Sequence, residues 1–75
     1  MVTMTRGSTW KIAVYESEHG ILHFHIETRR SRCTVGIQSL EVIIGNVPAR
    51  DLRAAMDWAH ANQAALLTQW KTLNR

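Results

Sequence analysis

Hydrophobic and polar residues alternate along the first half of the chain, which is the pattern of half-buried β-strands. The clearest case is residues 22–28, where apolar side chains alternate with His23, His25 and other polar residues. The same alternation runs through residues 10–15 and 32–37. These segments predict three antiparallel strands, because only short polar turns separate them.

The flanking segments of this strand region are less regular. Residues 39–44 predict either a fourth short strand or an extended crossover, which Gly45 and Asn46 would end. Residues 1–9 are mostly polar, and we expect them to be flexible. The whole chain, residues 1–75, is expected to form a single domain.

The pattern becomes helical from Ala49 onward, where apolar residues recur at spacings of three and four. Pro48 suits the first turn of a helix, and Asp51 suits the positive end of the helix dipole. Asn62 and Gln63 interrupt the apolar stripe. The segment therefore predicts two consecutive helices that break near residues 60–62, with one long helix as the alternative.

These elements predict an α+β fold, in which a small antiparallel sheet of three to four strands is covered on one face by the C-terminal helical segment. Strand alternation assigns His23 and His25 to the opposite, wetter face of the sheet. That face is expected to be either bare or used for binding. It carries six polar side chains, namely Lys11, Tyr15, His23, His25, Glu27 and Thr34.

Composition narrows the class of protein. Nine Lys and Arg residues against six Asp and Glu give 75 residues a net charge of +3, which suits an acidic partner or a nucleic acid. No signal peptide and no apolar run of about 20 residues is evident, so we expect a cytoplasmic protein without a membrane span. Cys33 is expected to be a buried apolar residue. A chain this small buries only about 60% of its unfolded surface, so self-association or a partner would help its stability.

Five motifs resemble those of a family of short bacterial proteins, domain of unknown function 4160. They are Glu18-His19, His23-Phe24-His25-Ile26, Ile44-Gly45-Asn46-Val47-Pro48, Trp58-Ala59 and Leu66-Leu67-Thr68-Gln69-Trp70. One departure is that Ile21-Leu22 replaces a pair of prolines. Members of the family are often encoded beside another small protein, in pairs that look like toxin–antitoxin modules. The resemblance implies a toxin-like component with a small cognate partner protein.

The histidines allow three interpretations, of which the first is metal-independent RNA cleavage. Imidazoles serve both as base and as acid near neutral pH, and His23 and His25 would lie roughly 7 Å apart on one face. The predicted catalytic set is His19, His23, His25 and Tyr15. Arg29, Arg30 and Arg32 follow the histidine strand and would hold phosphate groups of RNA, unless they form a solvated turn.

The second interpretation is a zinc site formed by His19, His23 and His25, with Glu18 or Glu27 as a further ligand or supporting group. The third is a structural role, in which the histidines hydrogen-bond across strands. In that case the exposed face would be a non-catalytic surface for the partner protein or for a second copy of the chain. The sequence leaves the three interpretations open.

Overall fold

The computed structural model describes residues 1–16 and 20–74 and consists of one antiparallel sheet and two C-terminal helices. The strands form a simple meander in the order β1-β2-β3-β4-β5. Their bounds are Val2–Arg6 (β1), Trp10–Val14 (β2), His23–Thr28 (β3), Arg32–Gly36 (β4) and Val42–Asn46 (β5). The helices are Ala49–Ala61 (α1) and Gln63–Leu73 (α2). The predicted α+β class is confirmed.

The predicted number of three to four strands is wrong, because the N-terminal segment forms β1. Residues 1–9 were expected to be flexible, yet Val2 pairs with Val14 and Thr3 pairs with Ala13 of β2. Met4 packs against the core, which anchors β1. Alternating Val, Met and β-branched Thr residues favour a strand even where the segment is mostly polar.

The last strand is also displaced from its predicted position. It was expected within residues 39–44 and to end before Gly45, but β5 continues through Gly45 and Asn46. Gly45 has a φ of +82°, and a Cβ added there would lie 2.5 Å from the carbonyl oxygen of Arg32. Glycine therefore does not end the strand here. It permits a close backbone pairing with Cys33 that other residues would disturb.

The hydrophobic core lies between the sheet and the two helices. Alternation correctly assigns inward side chains of the three central strands and of Ile37, which directly follows β4. They are fully or almost fully buried: Ile12, Val14, Phe24, Ile26, Cys33, Val35 and Ile37. Both helices pack against β2 and β3. Ala55, Ala59, Leu66 and Trp70 are the buried apolar side chains that the helices supply.

The break between the helices at Asn62 confirms the prediction of two helices. The Asn62 side chain donates a hydrogen bond to the carbonyl oxygen of Trp58, which ends α1. Pro48 occupies the N-cap of α1, and the buried Asp51 accepts a hydrogen bond from the hydroxyl of Thr9. Neither helix has the length and apolar character needed to cross a membrane, within the described residues.

Candidate functional site

The face of the sheet opposite the helices is formed by polar side chains of the three central strands. His25 pairs with Ala13 of β2 and Thr34 of β4, and Glu27 pairs with Lys11 and Arg32. Because paired residues point to the same side of a sheet, these side chains share one face. We call this surface the histidine face: Lys11, Ala13, Tyr15, His23, His25, Glu27, Arg32 and Thr34.

His25 lies at the centre of this face and is only 7% exposed. The rings of Tyr15 and His23 stand edge-on to its ring, with centroids at 5.1 and 5.2 Å. Its Nδ1 lies 3.0 Å from Nη2 of Arg32 and 3.3 Å from the Thr34 hydroxyl. The expectation that both imidazoles lie on a wet surface is therefore wrong for His25. Polar and aromatic side chains of neighbouring strands contribute to its cover, on the side of the sheet opposite the apolar core.

His23 occupies a different environment at the start of β3. Its ring lies 4.7 Å from the ring of Trp70, centroid to centroid, and is half-buried. Its Nδ1 lies 2.6 Å from the carbonyl oxygen of Ile21. The first residue of a strand lies at the end of the sheet, where the large Trp70 side chain of α2 reaches it. His23 is therefore the point where the histidine face meets the helical layer.

The two imidazoles are held in opposite tautomers when neutral. A carbonyl oxygen can only accept, so Nδ1 of His23 donates to Ile21, and the lone pair of the ring is on Nε2. A guanidinium can only donate, so Nδ1 of His25 accepts from Arg32, and the proton of the ring is on Nε2. These assignments follow from the hydrogen-bond partners. The two Nδ1 atoms thus have opposite roles, as donor in His23 and as acceptor in His25.

Glu27 links the remaining polar groups of the histidine face. Its carboxylate accepts a hydrogen bond of 2.6 Å from the Tyr15 hydroxyl. It also lies 3.6 Å from Nζ of Lys11 and 3.5 Å from Nη2 of Arg32, and its side chain is only 14% exposed. Arg32 lies over the Tyr15 ring, with Cζ 5.8 Å from the centroid. Glu27 therefore fixes the two side chains, Tyr15 and Arg32, that cover His25.

The turn between β3 and β4 adds a cationic groove at the Glu27 end of β3, which is the end opposite to His23. A cavity of about 510 Å³ is lined by Arg29, Arg30 and Arg32 together with Lys11 and Glu27. A second cavity of about 270 Å³ shares Lys11, Glu27 and Arg29 with it. The second cavity is also lined by Arg6 and Trp10. We call the combined surface the basic groove and define it by its five cations: Arg6, Lys11, Arg29, Arg30 and Arg32.

Hydrogen bonds within the turn hold the groove in shape. The Thr28 hydroxyl lies 2.6 Å from the hydroxyl of Ser31, and it accepts from the backbone N–H groups of Arg30 and Ser31. The backbone N–H of Thr28 also donates to the carbonyl oxygen of Ser31. The guanidinium groups of Arg29 and Arg30 therefore extend from a rigid turn, which lowers the entropy cost of binding an anion.

Sequence reasoning found part of this site. It named the three turn arginines and Tyr15, and the structure brings Arg32 and Tyr15 against His25. It did not connect Arg6 and Lys11 to the arginines, or Trp70 to His23. Lys11 could have been found, because short turns align it with Glu27 across β2 and β3. Arg6 could not have been found without recognising β1.

His19 lies outside the described residues, as do Ser17 and Glu18, so its predicted catalytic and metal-binding roles stay predictions. Within residues 1–16 and 20–74, no three His, Cys, Asp or Glu side chains come together as a metal site requires. The predicted zinc site of His19, His23 and His25 includes His19, which is outside the described residues, so this site also stays a prediction.

Comparison with known proteins identifies the family. The family model described as Domain of unknown function (DUF4160) matches residues 9–71, which include β2 to β5, α1 and most of α2. No curated protein and no solved structure matches the chain. The matched segment contains the whole histidine face and all cations of the basic groove except Arg6. Because the match covers well over half of the chain, this protein belongs to the DUF4160 family of domains of unknown function.

Proposed function

We propose that this protein is the cytoplasmic, toxin-like component of a bacterial two-protein module and that it binds RNA in the basic groove. The observation that carries the proposal concerns Arg32, which lines the groove while its Nη2 lies 3.0 Å from Nδ1 of His25. A phosphate group held by the groove arginines would therefore lie beside the histidine pair. The two-protein part of the proposal rests on the family resemblance.

The groove has the chemical character of a surface that binds single-stranded RNA. Among the described residues that line the two cavities are five cations and one carboxylate, that of Glu27, and arginine guanidinium groups bind phosphate oxygens in pairs. Trp10 packs partly against the core and also lines the second cavity, where the accessible part of its ring would contact an unpaired base. Phosphate contacts of this kind give affinity without much sequence preference.

Binding of a short single-stranded RNA, measured by fluorescence anisotropy at several salt concentrations, tests this proposal. Each phosphate contact contributes about 0.7 to the slope of log K against log salt for single strands. The double variant Arg29→Gln/Arg30→Gln should therefore bind more weakly than the wild type. Its salt dependence should be shallower, with a slope smaller in magnitude by about 1.4. Arg32→Gln should lower it by about 0.7.

The matched control for Arg32→Gln is Arg53→Gln, which removes one positive charge from an exposed position on α1 outside the groove. It should leave the slope unchanged. Equal effects of Arg53→Gln and the groove variants would indicate a general response to net charge, and the groove would lose its assigned role. Absence of RNA binding by the wild-type protein at low salt would contradict the proposal directly.

The toxin-like part of the proposal is tested in cells. Expression of the wild-type chain without its partner protein should arrest bacterial growth, and Arg32→Gln should relieve the arrest. Arg53→Gln serves again as the control and should arrest growth as the wild type does. Normal growth with the wild-type chain, at a protein level confirmed by immunoblot, would remove the toxin-like assignment while leaving RNA binding open to the anisotropy test.

The opposite tautomers of His23 and His25 favour RNA cleavage as a second candidate function. In this step the 2′-oxygen attacks phosphorus, and its proton passes to Nε2 of His23. The bond from phosphorus to the 5′-oxygen breaks, and that oxygen takes a proton from Nε2 of His25. The products are a 2′,3′-cyclic phosphate and a 5′-hydroxyl, and no metal ion takes part. Tyr15, which contacts both His25 and Glu27, would orient the acid.

Cleavage is tested with purified protein and labelled RNA in the presence of EDTA. His23→Ala and His25→Ala should each lower the rate by about 10²–10⁴-fold while retaining RNA binding. His19→Ala belongs in the same series, because His19 is part of the predicted catalytic set. Activity that disappears with EDTA and returns with zinc would favour the alternative zinc site instead. Binding without cleavage would limit the function to RNA binding.

A further inference from the structure

The smaller cavity of the basic groove lies between two hairpin turns at the same end of the sheet. The turn between β1 and β2 supplies residues 7–9 of its lining, and the start of the turn between β3 and β4 supplies Arg29. The two turns are neighbours, because Trp10 at the start of β2 pairs with Thr28 at the end of β3. The cavity is therefore a feature of the end of the sheet.

Two consecutive residues of β2 show that this cavity connects the two sides of the sheet. Because side chains alternate along a strand, those of Trp10 and Lys11 point to opposite sides. Trp10 packs partly against the core, which lies on the helix side, whereas Lys11 belongs to the histidine face. Both residues line the smaller cavity. A ligand held by the cations of the histidine side can thus continue through the cavity to the indole.

Gly7 brings the backbone of the turn against the Trp10 side chain. A Cβ added at Gly7 would overlap Nε1 and Cε2 of the indole, so a larger residue there would displace the ring. The backbone N–H of Gly7 also donates to the carbonyl oxygen of Trp10 and closes the turn. The turn and the core together hold the indole in place, which lowers the entropy cost of stacking a base on the part that faces the cavity.

Arg50 adds a cation beside this cavity, on the side of the sheet where Trp10 lies. Its Nη2 donates a hydrogen bond of 3.4 Å to the hydroxyl of Thr9, which lines the cavity. That hydroxyl donates in turn to the buried Asp51, whose carboxylate lies 3.6 Å from Nε of Arg50. These contacts orient the guanidinium, yet 77% of the Arg50 side chain is exposed. A cation is thus available to a phosphate group that has passed the cavity.

We infer that the smaller cavity is the subsite for one unpaired base, which stacks on Trp10, and that the adjoining phosphate group contacts Arg50. This inference rests on the proposed RNA binding and extends the path of the RNA from the basic groove across the end of the sheet. A base in a duplex is already paired and stacked, so it would not enter a cavity of about 270 Å³ between two turns. The subsite therefore selects single strands.

The base subsite is tested by comparing a short single-stranded RNA with inorganic polyphosphate, which carries charge but no bases. Trp10→Leu keeps an apolar side chain against the core and removes the stacking surface. It should weaken RNA binding about tenfold and leave polyphosphate binding unchanged. Trp58→Leu is the matched control, because Trp58 also packs partly against the core but lies on α1 and lines neither cavity. Trp58→Leu should change neither affinity.

Gly7→Ala tests the same subsite without removing the indole, and it provides a milder variant in case circular dichroism shows that Trp10→Leu does not fold. It should displace the ring, weaken RNA binding several-fold and leave polyphosphate binding unchanged. RNA binding that neither Trp10→Leu nor Gly7→Ala weakens would overturn the base subsite. An equal loss of polyphosphate binding would overturn it as well, because the variants would then have altered the cationic surface.

The phosphate contact is tested by the salt dependence of RNA binding. Arg50→Gln should reduce the magnitude of the slope of log K against log salt by about 0.7, whereas Arg53→Gln, one turn further along α1, should leave it unchanged. Equal slopes for Arg50→Gln and the wild type would overturn this contact. If Arg29→Gln/Arg30→Gln still makes the slope shallower, RNA binding in the basic groove stands although the subsite fails, so the two failures are distinguishable.

Discussion

The two faces of β3 are both buried, but different parts of the molecule bury them. Phe24, on one face, has no exposed surface and lies in the core that the helices cover. His25, on the other face, is 7% exposed, although the apolar core with the buried helix residues lies on the opposite side of the sheet. Among the described residues, its neighbours include Tyr15, His23 and Arg32, which belong to the sheet or directly follow one of its strands. Long and aromatic side chains thus contribute to the burial of this face.

The two faces of β3 therefore have different roles. The helix side contributes mainly to stability, and the histidine side positions polar groups. On the helix side, burial is apolar and contributes free energy in proportion to area. On the histidine side, burial depends on hydrogen bonds and ion pairs around Glu27 and Arg32, which also line the basic groove. Such groups contribute less to the free energy of unfolding, but they fix the positions and tautomers of the groups that meet a ligand.

The largest expected effect is on the free energy of unfolding, when the neighbouring residues Phe24 and His25 of β3 are replaced in turn. Phe24→Ala should lower the free energy of unfolding by about 3–5 kcal/mol, because it leaves a cavity in the core. His25→Ala should lower it by about 1–2 kcal/mol, because Arg32 is 58% exposed and can replace the lost hydrogen bond with water. Urea denaturation followed by circular dichroism measures both.

Phe24→Leu provides a milder variant in case Phe24→Ala does not fold, with an expected loss of less than about 1.5 kcal/mol. The comparison would fail if His25→Ala proved as destabilising as Phe24→Ala. The histidine face would then act as a second core, and its residues would be retained for stability.

A smaller effect is expected from Glu27→Gln, which keeps an oxygen that can accept from Tyr15 but removes the charge beside Lys11 and Arg32. Stability should fall by about 1 kcal/mol, because charge-assisted contacts are lost. RNA affinity should rise several-fold, because the groove loses its carboxylate. Denaturation and anisotropy measure the two effects on the same preparation.

Asp57→Asn is the control for this variant, since it removes the same charge from an exposed position on α1. Asp57→Asn should change neither the free energy of unfolding nor the RNA affinity appreciably. Lower RNA affinity in Glu27→Gln would show that the carboxylate's main effect is to hold Arg32 in position. Such a result would indicate that the side chains of the histidine face are held in fixed positions, although several of them are partly exposed.

How much could be predicted from the sequence depends on which interactions decide each feature. Period-two alternation correctly assigned Phe24 and His25 to opposite faces, because strand geometry requires it. The helix break at Asn62 followed from local sequence in the same way. β1 was missed because its stability comes from pairing with β2 and from the contact of Met4 with the core, which are both tertiary interactions.

The candidate site was harder to predict than the fold for the same reason. The burial of His25 results from side chains on three strands, and alternation does not report what covers a face. The contact between His23 and Trp70 joins residues 47 positions apart, and no local pattern in the sequence links a strand residue to a helix residue at that separation. The arginines of the turn were found because they are adjacent in sequence, whereas Arg6 required the position of β1.

The smallest expected effect concerns Cys33, on the helix side of β4. Removal from water raises the pKa of the Cys33 thiol above its usual value of 9.0, and a backbone hydrogen bond from Ile26 opposes this only in part. The folded state therefore keeps the proton at pH values where the unfolded chain loses it. This contribution to stability is fully present below pH 9.0 and is lost as the pH rises through the folded-state pKa.

The stability difference between wild type and Cys33→Ala should therefore shrink when the pH is raised above 9.0. Urea denaturation of both proteins at neutral and at alkaline pH measures this change. The two proteins share every other ionisable group, so the subtraction isolates the thiol. A difference that stays constant or grows with pH would mean that water reaches Cys33. The contrast between a dry helix side and a hydrogen-bonded histidine side would then no longer hold for β4.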